Sequence, residues 1–512
     1  MSRREALTAS RKKRAKKLLA SQQWAEAYEL YVDICRLDPL DYDGWLWLAE
    51  LAIKLRLPAD AERACRAAAA LRPQAPKPCL TLGLLYKTHG RFAEAEEWLR
   101  RYMGLLPAGA TEYKRLGTEL QQRGQLDLAI TIYHTLLQQT PDDADSWNNL
   151  GVALQNSGQF DAALAALASA VAVVPQAHTY CNMANVHVEK GDNEQAQRCY
   201  QQALQLNPES VNTLGSLGGF YMAQLRLEQA LHYLDKAIVI DPGFAGGYWN
   251  RSLIYLLQGR LREGWRDYDA RFDSPEVIQR FGQREFVKPL WEGQPIPGKT
   301  LLVYAEQGFG DSIQFCRYLP LLKQRVDHLV FESRPELMHL LRTLPGDVEC
   351  VARRDDFSVA ALEFDCHIPL MSLPRLFNTE LETIPAGVPY LSAEPERVQQ
   401  WGERIAATGL KVGLVWAGSP GHQRDRDRSM TLAQFAPLAQ VADITFYSLQ
   451  KGAAAAQAAT PPAGMTLIDM TAEMHDFADT AAVIANLDLV ICVDTSVAHL
   501  AGALGKPVWV LL

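Results

Sequence analysis

The sequence predicts two architectures in series, an α-solenoid followed by a pair of parallel α/β units, an α + α/β class. Three observations predict it. Prolines return about every 34 residues through the first half, short β-branched runs alternate with helical stretches through the second, and a Pro/Gly-rich stretch between them keeps neither rhythm.

The prolines are Pro39, Pro73, Pro107, Pro141, Pro175, Pro208 and Pro242, at intervals of 34, 34, 34, 34, 33 and 34 residues. The residues between them repeat in kind. One unit carries Trp147, Leu150, Gly151, Leu154, Gly158, Ala163, Leu167 and Ala170; the one before it carries Tyr113, Leu116, Gly117, Leu120, Gly124, Ala129, Tyr133 and Leu136. Large residues fill one helix face, a small residue lets the second helix approach, glycine ends the first helix and proline stops the second. An eighth stretch, "GYWNRSLIYLLQGRLREGWRDYDARF", keeps the period without the proline.

This pattern resembles the tetratricopeptide repeat over roughly residues 8–272, and 1–272 is taken as a solenoid of about eight repeats. The resemblance implies a right-handed solenoid whose concave groove binds an extended peptide or protein. Asn149, Asn182, Ser216 and Asn250 recur in one phase, which turns them toward the groove. An asparagine amide both donates and accepts, so a ladder of them pairs with a peptide backbone without reading its sequence. The repeats of O-linked N-acetylglucosamine transferases use asparagine at this place, and these are similar. Plain polar solvation of a groove is the alternative, and earlier repeats carry Trp47, Thr81 and Arg115 there.

Residues 273–297 are expected to link the halves. Beyond them the runs "TLLVYA", "HLVFES", "VECVA" and "FDCHIPL" precede a helix near 394–408, and "KVGLVWAG", "DITFYSLQ", "LDLVICVD" and "PVWVLL" follow it. Strands spaced by helices give parallel sheets with right-handed crossovers. The break near 390–394 divides them into two Rossmann-like units, 298–392 and 393–512. Ligands of such sheets sit at the carboxyl ends of the strands, so facing units make a cleft.

The strand ends carry the candidate chemistry. After the first run comes "AEQGFGDSIQF", residues 305–315. A dinucleotide fingerprint needs a third glycine where Ile313 stands, and a Walker loop needs Gly-Lys-Ser/Thr, so neither applies. What remains is a tight turn at Gly308 and Gly310 that presents Asp311, with Glu306 the rival carboxylate. In the second unit Asp494 ends a strand, Thr495 and Ser496 cap a helix, and His499 lies on its first turn. Free N–H groups there suit a diphosphate; the alternative is an ordinary cap with a hydrogen-bonded histidine. Ser419, His422, Arg424, Arg426 and Arg428 follow another strand, and Gln450 and Lys451 a third. Guanidinium groups and a lysine stabilise a departing diphosphate, although Arg424 and Arg426 also read as a solvated loop. Asp425 and Asp427 invite a metal reading that the interleaved arginines disfavour, so no metal is expected.

Together "AEQGFGDSIQFCRYLPLL", "VGLVWAGSPGHQRDRDRS", "FYSLQKG" and "LVICVDTSVAHLAGALGKPVWVLL" resemble the glycosyltransferase family 9 (heptosyltransferase-like) module over roughly 298–512. The resemblance implies a GT-B fold, a nucleotide-diphosphate sugar bound mainly by the second unit, and a metal-independent inverting transfer. By motif it places Asp494, Thr495, Ser496, Val497 and His499 at the donor, Arg428 near the diphosphate, and Gln450 and Lys451 near the base or ribose. The family continues past the strand at which this chain ends, so the second unit is expected to lack its C-terminal end. The expected function is transfer of a sugar to a hydroxyl of a protein held by the repeats, flagellin or another surface-protein subunit being one acceptor class. The alternatives are a non-catalytic scaffold with a degenerate transferase module and a GT-B nucleotide-sugar epimerase. No cofactor beyond the sugar donor is implied.

Bulk properties agree. The net charge of −8 disfavours a general nucleic-acid binder. No apolar run is long enough to span a bilayer, and the basic start "SRREALTASRKKRAKKLL" reads as a solvated helix face. Nine scattered cysteines without a CxxC pair read as thiols of a reducing compartment, hence a cytoplasmic protein.

Overall fold

The computed structural model describes residues 3–512 except 22, 106–110, 276, 279–283, 285, 355–361, 406–407 and 422–424. Of residues 3–6, 20, 92, 426 and 427 it describes the backbone alone. Pro107 thus lies outside the described residues. The chain divides into two compact units, Met1–Phe220 and Tyr221–Leu512.

In the first unit, helices from Arg3–Ala20 to Asn193–Leu206 pack in consecutive pairs, the tetratricopeptide-like solenoid the periodicity predicts. The small residues work as expected. A Cβ on Gly83 would fall 2.5 Å from Leu99, one on Gly117 2.7 Å from the Tyr133 ring, and one on Gly151 2.5 Å from Leu167. All three large partners are buried, so a methyl group at these glycines would force the helices apart.

The turns depart from the sequence reading in one respect. Arg56, Gly90, Gly124, Gly158, Gly191, Leu225 and Gly259 all adopt left-handed backbone, with φ from 57° to 78°. Five are glycine as the turn chemistry predicts; Arg56 and Leu225 adopt the same strained conformation because the helix pairing on either side dictates it.

The second unit starts inside the repeat array. It holds helices Leu227–Ile240, Ala245–Leu257 and Leu261–Tyr268 together with two parallel sheets. One sheet contains β1 (Ile296–Tyr304), β2 (Val326–Ser333), β3 (Glu349–Ala352) and β4 (Cys366–Pro369) in the order β3-β2-β1-β4. The other contains β5 (Leu410–Val415), β6 (Ile444–Ser448), β7 (Leu467–Asp469), β8 (Leu489–Val493) and β9 (Val508–Leu511) in the order β7-β6-β5-β8-β9. All pairings are parallel. Strands such as β4 and β8 are buried along almost their whole length, which is why they read as unbroken apolar runs.

β7 escaped the sequence reading, being three residues long with two exposed. Residues 289–291, inside the stretch read as a linker, are tied to the first sheet. His367 donates its N–H to the Pro289 carbonyl at 3.1 Å, and Trp291 donates to the His367 carbonyl at 2.8 Å. Trp265 and Tyr268 of the last repeat helix share an apolar core with β1 and β2. Among the described residues no helix is long and apolar enough to cross a membrane.

Candidate functional site

The chain leaves β1 toward β2 on one side and β4 on the other, and leaves β5 toward β6 and β8. Both sheets therefore have a switch point at the strand that comes first in the chain, β1 or β5, where ligand crevices form. A cleft of about 1060 Å³ opens there, lined by the segments that follow β1, β2, β5, β6, β7 and β8.

On the first-sheet side, β1 runs through the turn at Gly308 into helix Phe309–Phe315. Asp311 is the third residue of this helix, and its carboxylate accepts the Gly308 N–H at 2.9 Å. Burial lifts its pKa above the ordinary aspartate range, opposed by that N–H and by His499. Gly310 has a specific reason to be glycine. A Cβ there would stand 2.8 Å from His499 Cδ2 and 3.6 Å from the Ser496 Cα. The helix bearing Asp311 thus lies against helix Ser496–Ala503, which His499 belongs to. The Phe309 ring lies 4.9 Å from Phe477 and carries the Arg334 guanidinium 4.8 Å above it.

On the second-sheet side, β8 delivers Asp494 in an exposed position and Thr495 in extended backbone as the N-cap. Thr495 makes no side-chain cap bond, and its Oγ1, although enclosed, has no partner among the described residues. The expected cap is therefore not made, and the helix opens with its N–H groups uncapped by a side chain. Ser496 and Val497 line the cleft beside them. His499 has its pKa lowered by burial, with Asp311 and Asp494 pulling the other way, which favours a neutral imidazole.

Arg428 reaches this helix opening. Its Nη1 donates to the Asp494 carbonyl at 2.9 Å, and its Nε lies 3.4 Å from Asp425 Oδ1. Gly418 makes the room, for a Cβ there would meet the guanidinium at 2.7 Å. Ser419 stands exposed on the rim. His422 and Arg424 lie outside the described residues, as do the side chains of Arg426 and Asp427. Asp425 is engaged by Ser429 Oγ at 2.9 Å.

Gln450 and Lys451, expected at the base or ribose, are committed to the protein itself. Gln450 Oε1 accepts from Trp416 N (2.9 Å) and Ala417 N (2.8 Å), and its Nε2 donates to the carbonyls of Ala417 (3.0 Å) and Lys451 (2.9 Å). That fills every site an amide offers. Lys451 Nζ donates to the Met474 carbonyl at 2.6 Å and to that of Thr471. Both residues shape the cleft wall. Glu306, the rival to Asp311, is not among the residues that line the cleft, and its Oε1 accepts from Arg271 Nη2 at 2.6 Å. Sequence reasoning missed Arg334 and Phe477, which lie outside the quoted motifs, and gave no role to Phe309 and Gly418, which lie inside them.

Of the groove residues, Asn149, Asn182 and Ser216 belong to the first unit and Asn250 to the second. Asn182 Nδ2 donates to Asn148 Oδ1 at 2.9 Å, and Asn148 Nδ2 donates to Asn149 Oδ1 at 3.5 Å. The ladder is thus partly knitted into the array, while each amide keeps further donor or acceptor capacity.

Comparison with known proteins places these features. Tetratricopeptide repeat family models match residues 12–76 and 181–245, 117–158 and 142–209. The glycosyltransferase family 9 (heptosyltransferase) model matches 438–511. Protein FlbA of Caulobacter vibrioides is 26% identical over 376 residues, 67% of this chain and 62% of that protein. Serine/threonine-protein phosphatase 5 of Rattus norvegicus is 28% identical over 101 residues, 20% of each. The chain therefore spans about 62% of the length of FlbA and a fifth of the phosphatase. The crystal structure of MamA matches with 22% identity and a TM-score of 0.27, over 32% of this chain and 97% of that one. The chain joins tetratricopeptide repeats to a C-terminal segment of the glycosyltransferase family 9 (heptosyltransferase) type.

Proposed function

We propose that this protein is a glycosyltransferase that moves a sugar from a nucleotide-diphosphate donor to a hydroxyl of a protein captured by its repeats. The observation that carries the reading is the meeting, across one cleft, of a half-buried carboxylate and an anion-ready helix opening. Asp311 comes from the first sheet; the uncapped start of helix Ser496–Ala503, with Arg428 held beside it, comes from the second. N–H groups at a helix start and a fixed guanidinium both favour a diphosphate.

In this reading the acceptor oxygen bonds to the anomeric carbon while the bond from that carbon to the diphosphate oxygen breaks, inverting the centre. Asp311 takes the hydroxyl proton and the diphosphate leaves with the bonding pair. Arg428 and the N–H groups of the helix stabilise the leaving charge. His499, kept neutral by burial, offers a hydrogen bond to a phosphate oxygen. Ser419, Asp494, Thr495, Ser496 and Val497 surround the donor, with Gln450 and Lys451 as positioning residues. No metal or further cofactor is needed for this route. The acceptor is a protein with an extended segment, flagellin or another surface subunit among the candidates, and the reaction belongs in the cytoplasm.

The test is single-turnover transfer by Asp311→Asn beside Glu306→Gln, with thermal shift by UDP, GDP, ADP, CDP and dTDP. Asp311→Asn alone should be slow while the shift survives. A slow Glu306→Gln beside a fast Asp311→Asn moves the base to Glu306. Absence of any shift and any transfer by the unaltered protein leaves a binding scaffold.

A further inference from the structure

The two residues that lead β1 into the glycine turn are both held by the end of the last repeat helix. Glu306 Oε1 accepts from Arg271 Nη2 at 2.6 Å. Arg271 is 2% exposed, and its fork also grips Asp269 Oδ1 at 2.7 Å, Ser372 Oγ at 3.0 Å and the Tyr268 carbonyl at 3.2 Å. Asp269 is fixed in turn by Arg375 Nε at 2.6 Å. Gln307 Nε2 donates to the Tyr268 hydroxyl at 2.8 Å. Tyr268 packs against Trp249 and Trp265 at 5.0 and 5.1 Å, and Trp265 meets Phe315 at 5.4 Å. Phe315 closes the helix on whose first turn Asp311 sits.

Stability does not account for an ion pair this enclosed. Removing both charges from water costs several kcal/mol per ion, and a well-packed apolar pair often does as well or better. What the pair supplies is direction. A planar guanidinium already bound to fixed oxygens accepts a carboxylate in one place only. Glu306 and Gln307 are the two residues that precede Gly308, whose N–H holds the Asp311 carboxylate, so fixing the pair fixes the turn.

We propose that Arg271 and Tyr268 are positioning residues of the transferase site, so that the end of the last repeat decides where Asp311 stands. The last repeat and the catalytic turn then form one mechanical piece joined through Arg271–Glu306 and Tyr268–Gln307. This rests on Asp311 being the base. It also gives Glu306 a role other than the one it competed for.

The test uses Tyr268→Phe and Arg271→Lys in the full chain. Single-turnover transfer should fall by roughly tenfold or more in each, a sub-ångström misplacement of the base being enough. The nucleoside-diphosphate binding midpoint should stay within about twofold, and amide exchange at 308–312 should quicken. A residue that merely stabilises the fold would lower the melting temperature and leave turnover per folded molecule unchanged. Wild-type turnover with unchanged exchange at 308–312 in Tyr268→Phe overturns the proposal, and that variant decides if Arg271→Lys does not fold. If the unaltered protein transfers no sugar, the functional reading fails separately. Exchange at 308–312 then decides the positioning role: faster supports it, unchanged overturns it.

Discussion

Replacing Gly310 by alanine separates two explanations of the glycine turn. Gly310 is the second residue of a helix, and in a helix alanine is better than glycine by up to about 0.8–1 kcal/mol. If nothing faced it, the substitution would stabilise the protein by that amount. The structure puts His499 Cδ2 2.8 Å and Nε2 3.3 Å from the new methyl group. Carbon atoms rest at about 3.5–4.0 Å, so the imidazole must retreat by roughly 0.7–1.2 Å. Overpacking of this kind costs about 1–3 kcal/mol, which outweighs the helix gain. Gly310→Ala should therefore be destabilised by up to about 2 kcal/mol. Its transfer rate should fall by about 10²-fold, the usual cost of an ångström at a reacting centre. Thermal denaturation of Gly310→Ala, His499→Ala and the double variant isolates the contact. With the imidazole removed, the methyl group should become neutral or stabilising, a coupling of about 1 kcal/mol or more. A stabilised, fully active Gly310→Ala, or additive stabilities in the cycle, would refute the argument that this glycine exists to admit His499.

Three further expectations follow from the same geometry. Asp311→Asn should slow turnover by about 10²–10⁴-fold, and the wild-type rate should rise with pH through a midpoint above the ordinary aspartate value, since burial favours the protonated form; a pH-independent rate across the acid range would remove Asp311 as the base. The same shift has a stability consequence: a folded-state pKa above the unfolded one favours the native state at low pH and is lost as pH rises through it, so Asp311→Asn should melt at or above the wild-type temperature near pH 7, with the gap closing in acid; a variant that melts lower at neutral pH counts against this. Leu225→Gly should leave stability unchanged or raise it by up to about 1 kcal/mol, because a left-handed non-glycine costs about 1–2 kcal/mol and glycine returns about 1 kcal/mol of chain entropy; Leu225 is 70% exposed and gives up little burial, so a clear loss on denaturation would show the conformation is not strained.

Much of this architecture is legible in the residues because it rests on local chemistry. The 34-residue rhythm survives in proline and glycine, whose backbone preferences act without neighbours, and the strands survive as β-branched runs because parallel sheets bury both faces. β7 is invisible for the converse reason: three residues, two of them exposed, carry no pattern. Arg56 and Leu225 hide a left-handed turn that helix packing imposes against their own preference. Within the cleft, Asp311 and Asp494 could be read from strand ends, but the partners that define them could not. His499 lies far along the chain from the glycine that admits it. Arg271 reads as one of the last residues before a linker, although it is buried and binds the turn before Asp311. Gln450 reads as a ligand contact because an amide in a loop after a strand looks available; only the fold shows its four bonds used.

Those four bonds have a thermodynamic consequence. By tying the ends of β5 and β6 together through Trp416, Ala417 and Lys451, Gln450 removes the loop's freedom when the chain folds. A ligand arriving at this wall finds it already arranged, so little conformational entropy is left to lose on binding. Calorimetry of a nucleoside diphosphate should show a smaller entropic penalty for the native protein than for Gln450→Ala, at nearly equal enthalpy per contact formed. The residue that looks most like a recognition group would then govern affinity without touching what is recognised.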